Sequence, residues 1–259
     1  MNCTTISPAH FPLHPDEIDT MKPVAVVIVC KTPAPGKSKT RLSPPLRPEE
    51  CAAISACFIR DLSQTIQTLA ADGDVAGGAV YTPFGTEAAL RKLLPDSFHL
   101  TLQGEGDLGA RLLKGTADLL AQGFSGAILV NSDSPTLPKA ILRAAVDAVR
   151  AGGNVVLSPA LDGGYTLIGL SQPQPRLFDD MPWSTPEVYA LTLQRAQEIG
   201  LDVVNVPGWY DVDDAASFAM LEDEWRGRAP SFADPGLTGA DAPATFAFLQ
   251  ERNRTLMRA

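Results

Sequence analysis

The sequence predicts an α/β domain, a three-layer α/β/α sandwich built on a mostly parallel sheet. Two observations carry that expectation. Val24–Cys30 and Ala127–Val130 are continuous apolar runs bounded by turn residues, the pattern of central strands covered on both faces. Around them, strand-like runs alternate with stretches whose apolar residues recur at three- and four-residue steps, as β-α-β units require. At 259 residues the chain can form one large domain, and its 45% hydrophobic and 20% charged content is that of a globular protein. No apolar run is long enough to span a bilayer.

Charge and composition exclude several function classes. A formal net charge of −9 argues against a nucleic-acid partner, because phosphate-backbone binding needs a basic footprint, so any anionic substrate must meet a local cluster of cations. Met1–Thr20 lacks the basic-then-apolar pattern of a secretory signal, which implies a cytoplasmic protein. Cys3, Cys30, Cys51 and Cys57 contain no CxxC pair, and with few histidines a structural zinc site is not expected; the thiols should be reduced.

In chain order, residues 1–22 read as a polar extension, 23–222 as the domain, and 223–259 as a tail with one amphipathic helix near Ala244–Met257. After the first strand, Lys31-Thr-Pro-Ala-Pro-Gly-Lys-Ser-Lys-Thr-Arg-Leu42 gathers three lysines and an arginine in an acidic protein. Its position beyond a strand's carboxyl end makes it the phosphate-binding candidate, against the alternative of a solvated basic loop. It is not a Walker A loop: Lys31 stands where that motif has Gly, and Pro44 and Pro45 would break the following helix. Pro48–Ala70 is an amphipathic helix with Pro48, Glu49 and Glu50 in its first turn. A strand at Val75–Tyr81, a helix near Thr86–Leu94 and a strand at Phe98–Leu102 follow, then a helix opened by Gly104–Gly109 with Asp107 as its N-cap.

The strand Ala127–Val130 runs directly into Asn-Ser-Asp133-Ser-Pro. Ligands collect beyond strand carboxyl ends, so Asp133 can reach a metal or a phosphate; as a turn former it could equally cap the helix near Pro138–Arg150. A strand at Asn154–Ser158 leads through Asp162-Gly-Gly-Tyr165 into Thr166–Leu170, a hairpin signal whose glycines could also bare the backbone beneath a substrate, with Asp162 as a polar contact. Pro182-Trp-Ser-Thr-Pro-Glu187 reads as a helix start, capped by Ser184 or Thr185 and running to about Ile199. After a strand at Asp202–Val206, Asp211, Asp213 and Asp214 crowd the start of another helix; one should be a cap, and such crowding is costly without a cation.

The motifs Lys31-x-Pro-x-Pro-Gly-Lys-x-Lys-Thr-Arg-Leu42, Gly106-Asp-Leu-Gly109, Ser132-Asp-Ser-Pro135, Asp162-Gly-Gly-Tyr-x-Leu-Ile-Gly169, Pro182-Trp-Ser-Thr-Pro186 and Tyr210-Asp-Val-Asp213 occur in one order. In this the chain resembles the rSAM/selenodomain-associated transferase 1 family and is similar to the molybdenum-cofactor and phospholactate guanylyltransferases. The resemblance implies a glycosyltransferase-A-like (nucleotide-diphospho-sugar transferase) fold, a nucleotide held by the loop after the first strand, and a metal on Asp133.

The expected roles follow. Lys31, Gly36, Lys37, Lys39 and Arg41 meet phosphates; Asp133, Asp213 and Asp211 hold Mg²⁺ or Mn²⁺, which takes hard oxygen ligands; Lys39, Asp133 and Asp162 are the catalytic candidates; Asp107, Asp162, Gly163, Gly164, Tyr165 and Trp183 face the substrate. The leading expectation is nucleotidyl transfer from an NTP to a small phosphorylated or acidic acceptor. Glycosyl transfer from a nucleotide sugar is the alternative, and a non-catalytic nucleotide-binding protein a third class. Ser-His-Asp hydrolysis and hydride transfer are not expected, for lack of a G-x-S-x-G elbow and of a G-x-G-x-x-G after the first strand.

Overall fold

The structure, a computed structural model, describes residues 22–258; residues 1–21, nearly all of the expected N-terminal extension, and Ala259 lie outside the described residues. Strands β1 (Val24–Lys31), β2 (Val75–Thr82), β3 (His99–Leu102), β4 (Gly126–Asn131), β5 (Asn154–Pro159), β6 (Tyr165–Leu170) and β7 (Asp202–Asn205) form one seven-stranded sheet in the order β3-β2-β1-β4-β6-β5-β7. β1 lies near its centre and pairs in parallel with β2 (Val26 opposite Gly77) and with β4 (Val26 opposite Ile128). Only β6 runs antiparallel, joined to β5 by the turn at Asp162-Gly-Gly that the sequence marks as a hairpin.

Helices cover both faces. α1 (Pro48–Ala70), α2 (Glu87–Arg91), α4 (Lys139–Ala151), α6 (Ala215–Trp225) and α7 (Pro243–Leu256) pack on one side, α3 (Leu108–Ala121) and α5 (Val188–Glu198) on the other. The alternation of β1 divides its side chains between the layers: Val24, Val26, Ile28 and Cys30 enter the first core, Ala25 and Val27 the second. This is the three-layer sandwich with a mostly parallel sheet that the sequence predicts.

Two helix boundaries differ from the sequence reading. The helix expected over Thr86–Leu94 is a single turn and a half, Glu87–Arg91. α5 begins at Val188, because Ser184 takes a left-handed backbone (φ 65°) and the Thr185 hydroxyl donates to Pro182 O instead of capping. The segment Pro182–Glu187 is therefore a loop, and its Trp183, Ser184 and Thr185 line a cavity with Asn131 and Asp133. The chain after Glu222 is also packed against the domain: Phe232, Leu237, Phe246 and Phe248 lie on the first core, and Leu249 is buried within it.

The attachment of α7 rests on one buried carboxylate. Asp61 of α1, 2% exposed, accepts from Ala244 N at 2.9 Å and Thr245 N at 2.7 Å, satisfying two of the helix's unpaired amides and meeting its positive end. Asp61→Ala should cost about 1–3 kcal/mol and open the C-terminal segment first. Urea denaturation with limited proteolysis checks this: cleavage after residue 226 should accelerate before the domain melts.

Candidate active site

The first site element is set by the loop after β1. Ala34 N donates to the buried Ser38 Oγ at 3.1 Å and Lys37 N to Ala34 O at 3.1 Å, which tightens the turn. Lys39 then enters the left-handed region at φ 49°, ψ 41°, a conformation that costs a non-glycine residue about 1–2 kcal/mol. Its ammonium explains the tolerance. Nζ lies 2.8 Å from Val212 O, 2.7 Å from Asp213 Oδ1 and 2.8 Å from Asp133 Oδ1, so each of its three donors has an oxygen. The side chain is 6% exposed; burial alone would lower its pKa, but Asp133 and Asp213 hold it above the usual lysine value, so it stays charged.

The acids reach this point from two directions. Asp133 follows β4 at the sheet's carboxyl edge, with Ser132 Oγ donating to its Oδ1 at 3.0 Å. The later cluster arrives because the chain after β7 continues along β5 and then crosses to β4: Val206 N donates to Leu157 O, Trp209 N to Pro159 O, and Val212 N to Asp133 O at 2.9 Å. Trp209 and Tyr210 are fully buried and anchor this crossing, the indole donating to Thr136 Oγ1 and the phenol to Glu224, which Thr136 also engages. Of the three crowded acids Asp214 is the cap, accepting from Ser217 N at 2.8 Å.

The result is a cleft with two chemically distinct compartments that share Asp133, Asp213 and Arg41. The first, about 420 Å³, is lined by Lys31, Lys37, Lys39, Arg41 and Arg111. The second, about 300 Å³, is lined by Asp162, Asp211, Gly164, Tyr165 and Trp183. In the second, oxygens of Asp162, Asp211 and Asp213 lie within 4.8 Å of one another. Burial first, and then the charges of Asp162, Asp213 and Asp133, push the Asp211 carboxyl up to about 7.

Some residues expected in the site fall outside this cleft and others are new to it. Asp107 accepts from Ala110 N at 2.9 Å as the cap of α3 and lines neither compartment, so its carboxylate serves the helix. Gly36 forms the turn at φ 68° beside the first compartment without lining it. Gly163, at φ 89°, has a packing role: a Cβ there would sit 2.2 Å from Pro186 O, and its carbonyl accepts from Tyr189 N. Gly109 likewise admits Phe178 O and the Trp183 indole against α3. Asp162 belongs with the acidic cluster. Arg111 is not singled out by the sequence reading, and its buried Nε has no partner among the described residues. A cation in the first turn of α3, next to the buried Leu112, is the signal that marks it.

The comparisons with known proteins agree with this architecture. A family model described as "Uncharacterized protein conserved in bacteria (DUF2064)" matches residues 65–185. Among curated proteins, none matches this chain. A provisionally assigned nucleotide-diphospho-sugar transferase from Desulfovibrio desulfuricans G20 shares 25% identity at a TM-score of 0.75, covering 92% of this chain and 98% of its own. CMP:2-keto-3-deoxy-manno-octonic acid synthetase in complex with CTP, at 11% identity, gives a TM-score of 0.52 over 79% of this chain and 99% of its own. For 4-diphosphocytidyl-2C-methyl-D-erythritol synthase, at 9% identity, the values are 0.50, 77% and 97%. The fold is therefore glycosyltransferase-A-like, of the nucleotide-diphospho-sugar transferase type. No described helix is long and apolar enough to cross a membrane.

The charges of the site set two stability expectations. Asp211 has a folded pKa of about 7 against an ordinary value of 3.8, so its ionisation opposes folding: stability falls as pH rises from about 4 to about 7 and is flat above. Asp211→Asn should thus be more stable than the parent near pH 8 by roughly 1–3 kcal/mol, with the difference vanishing below about pH 4, measured by denaturant melts in chelator. Lys39→Ala should cost about 1–3 kcal/mol, because Asp133 and Asp213 are left facing each other, and millimolar Mg²⁺ should raise its Tm more than the parent's.

Proposed function

We propose that the protein is a divalent-metal-dependent transferase with a nucleotide donor, its phosphates held in the cationic compartment and the reacting end directed over Asp133 and Asp213 into the second. The observation that carries this reading is the convergence of two carboxylates, from β4 and from the segment after β7, on a single ammonium at 2.7–2.8 Å. That spot suits a small hard cation, since Mg²⁺ binds one or two carboxylates and completes its shell with phosphate oxygens and water. Asp133 and Asp213 would hold it, with Asp211 in reserve; when bound it supplies charge neutralisation for the departing phosphate oxygens. Residues 23–222 make up the transferase domain in this reading, and the six-motif likeness to the rSAM/selenodomain-associated transferase 1 family supports it.

Within the class, glycosyl transfer from a nucleotide-diphospho-sugar is the reaction the geometry favours. The bond between the anomeric carbon and the diphosphate oxygen breaks, the diphosphate leaving with the electron pair. An acceptor oxygen bonds to that carbon, and its proton passes to a carboxylate such as Asp162 or to water. Lys37, Lys39, Arg41 and Arg111 orient and neutralise the leaving group, Arg through paired donors and Lys as a point charge. Two observations support it: the 25% identical relative provisionally assigned as a nucleotide-diphospho-sugar transferase, and a second compartment with a single cation at its edge among the described residues. The five cations of the first compartment favour a second reading, nucleotidyl transfer from an NTP, in which an acceptor oxygen bonds to the α-phosphorus and pyrophosphate leaves.

The products separate the two: nucleoside diphosphate for the first, pyrophosphate for the second. Calorimetric titration of nucleotides with Mg²⁺ should give binding in the parent that Asp133→Asn reduces about a hundredfold, and that Lys39→Ala and Arg41→Ala each reduce about tenfold. Metal-dependent binding retained in Asp133→Asn would leave Asp133 only a structural partner of Lys39, since the N-cap position of α4 is Pro138, without a side-chain cap.

A further inference from the structure

The charge of the second compartment names the acceptor. A phosphorylated or acidic acceptor, the class expected from the sequence, requires cations beside the transfer point, and the lining residues do not supply them. Asp162 and Asp211 lie in this compartment, Asp133 and Asp213 on its boundary; among the described residues Arg41, shared with the first compartment, is the sole cation that lines it. Lys39 lines the first compartment and not this one. One divalent ion there would offset Asp133 and Asp213, which leaves Asp162 and Asp211 against a single arginine. A phosphate or carboxylate entering this space meets like charge at short range.

The remaining surface fits an uncharged ligand rich in hydroxyls. Trp183 and Tyr165 supply aromatic wall, with Leu112 and Val188 beside them. Tyr165 is 6% exposed, and its buried hydroxyl has no partner among the described residues. A buried donor without a partner is costly, so this hydroxyl points to a bound molecule with an acceptor oxygen. The Asp162 carboxylate complements it, since a carboxylate accepts and thus pairs with O–H donors, and the Asp211 carboxyl can accept or donate. A polyol offers both donor and acceptor at every hydroxyl, and its C–H face packs on an indole.

From this geometry we infer that the second compartment binds a neutral polyhydroxylated acceptor, a sugar or polyol, and discriminates against phosphorylated and acidic ones. This rests on the transferase reading above, because it takes the neighbouring compartment as the donor's.

The test is saturation-transfer NMR and Trp fluorescence on the full chain, with and without UDP and Mn²⁺. The probes are methyl α-D-glucopyranoside, methyl α-D-mannopyranoside and myo-inositol against glucuronate and glucose 6-phosphate. At least one neutral probe should bind about tenfold or more tightly than both anionic ones, with saturation transfer to its ring C–H protons. Asp162→Asn and Asp211→Asn should each narrow that gap by strengthening glucuronate binding, and Tyr165→Phe should weaken the neutral probe while remaining folded. Anionic probes binding the parent as well as neutral ones, or no neutral probe binding in any condition, would overturn the inference. Failure of UDP and other nucleotides to bind with Mn²⁺ while neutral probes do would instead strike the donor reading and leave the acceptor pocket standing.

Discussion

One buried ammonium between two carboxylates holds the edge of this protein together. Lys39 reaches it from the loop after β1, Asp133 from the end of β4, and Asp213 from a segment some eighty residues further along the chain. Burying a lysine is unfavourable unless its charge is paired and its donors are taken, and here the pairing supplies both. The left-handed backbone of Lys39 is tolerated for the same reason, as strain persists where the surroundings over-determine it. Local backbone cost, long-range ion pairing and the convergence of three chain segments are thus one feature.

The fold makes that convergence possible. Parallel pairing of β1 with β2 and β4 puts the carboxyl ends of all three on one edge, where the following loops must emerge. The single antiparallel strand β6 then carries the chain back, so that its hairpin presents Asp162 and Gly164 at the same edge. The crossing after β7 is fixed from beneath by Trp209, Tyr210, Thr136 and Glu224, and this buried polar network is what aims Asp211 and Asp213. The energetic tension of the site, with Asp211 protonated more readily than an ordinary carboxyl, is held in place by that rigid base.

Much of this was legible in the residues. The two apolar runs defined the central strands because burial on both faces leaves no room for polar alternation, and the helical period of the 23-residue α1 was plain in its apolar spacing and its Pro48 start. Lys39 and Asp133 stood out because each breaks the character of its surroundings. What escaped was whatever depends on contacts between distant segments. The cap role of Asp107 was legible, but nothing local tells that Gly163 is needed by Pro186, or that Ser184 turns left-handed and delays α5. Arg111 was hidden in a helix read for its leucines, and the split of the cleft into a cationic and an acidic half exists only once β4, β6 and the last crossing share an edge.

In the proposed function, Asp133 and Asp213 form a divalent-cation site at the boundary between donor and acceptor compartments. The most direct measurement of that site is anomalous diffraction at the manganese edge from crystals grown with Mn²⁺ and UDP. The predicted result is one strong peak bonded to both carboxylates and to a phosphate oxygen, with the Lys39 ammonium displaced toward phosphate. Bound UDP with no peak there, or with Lys39 still seated between the two acids, would contradict it.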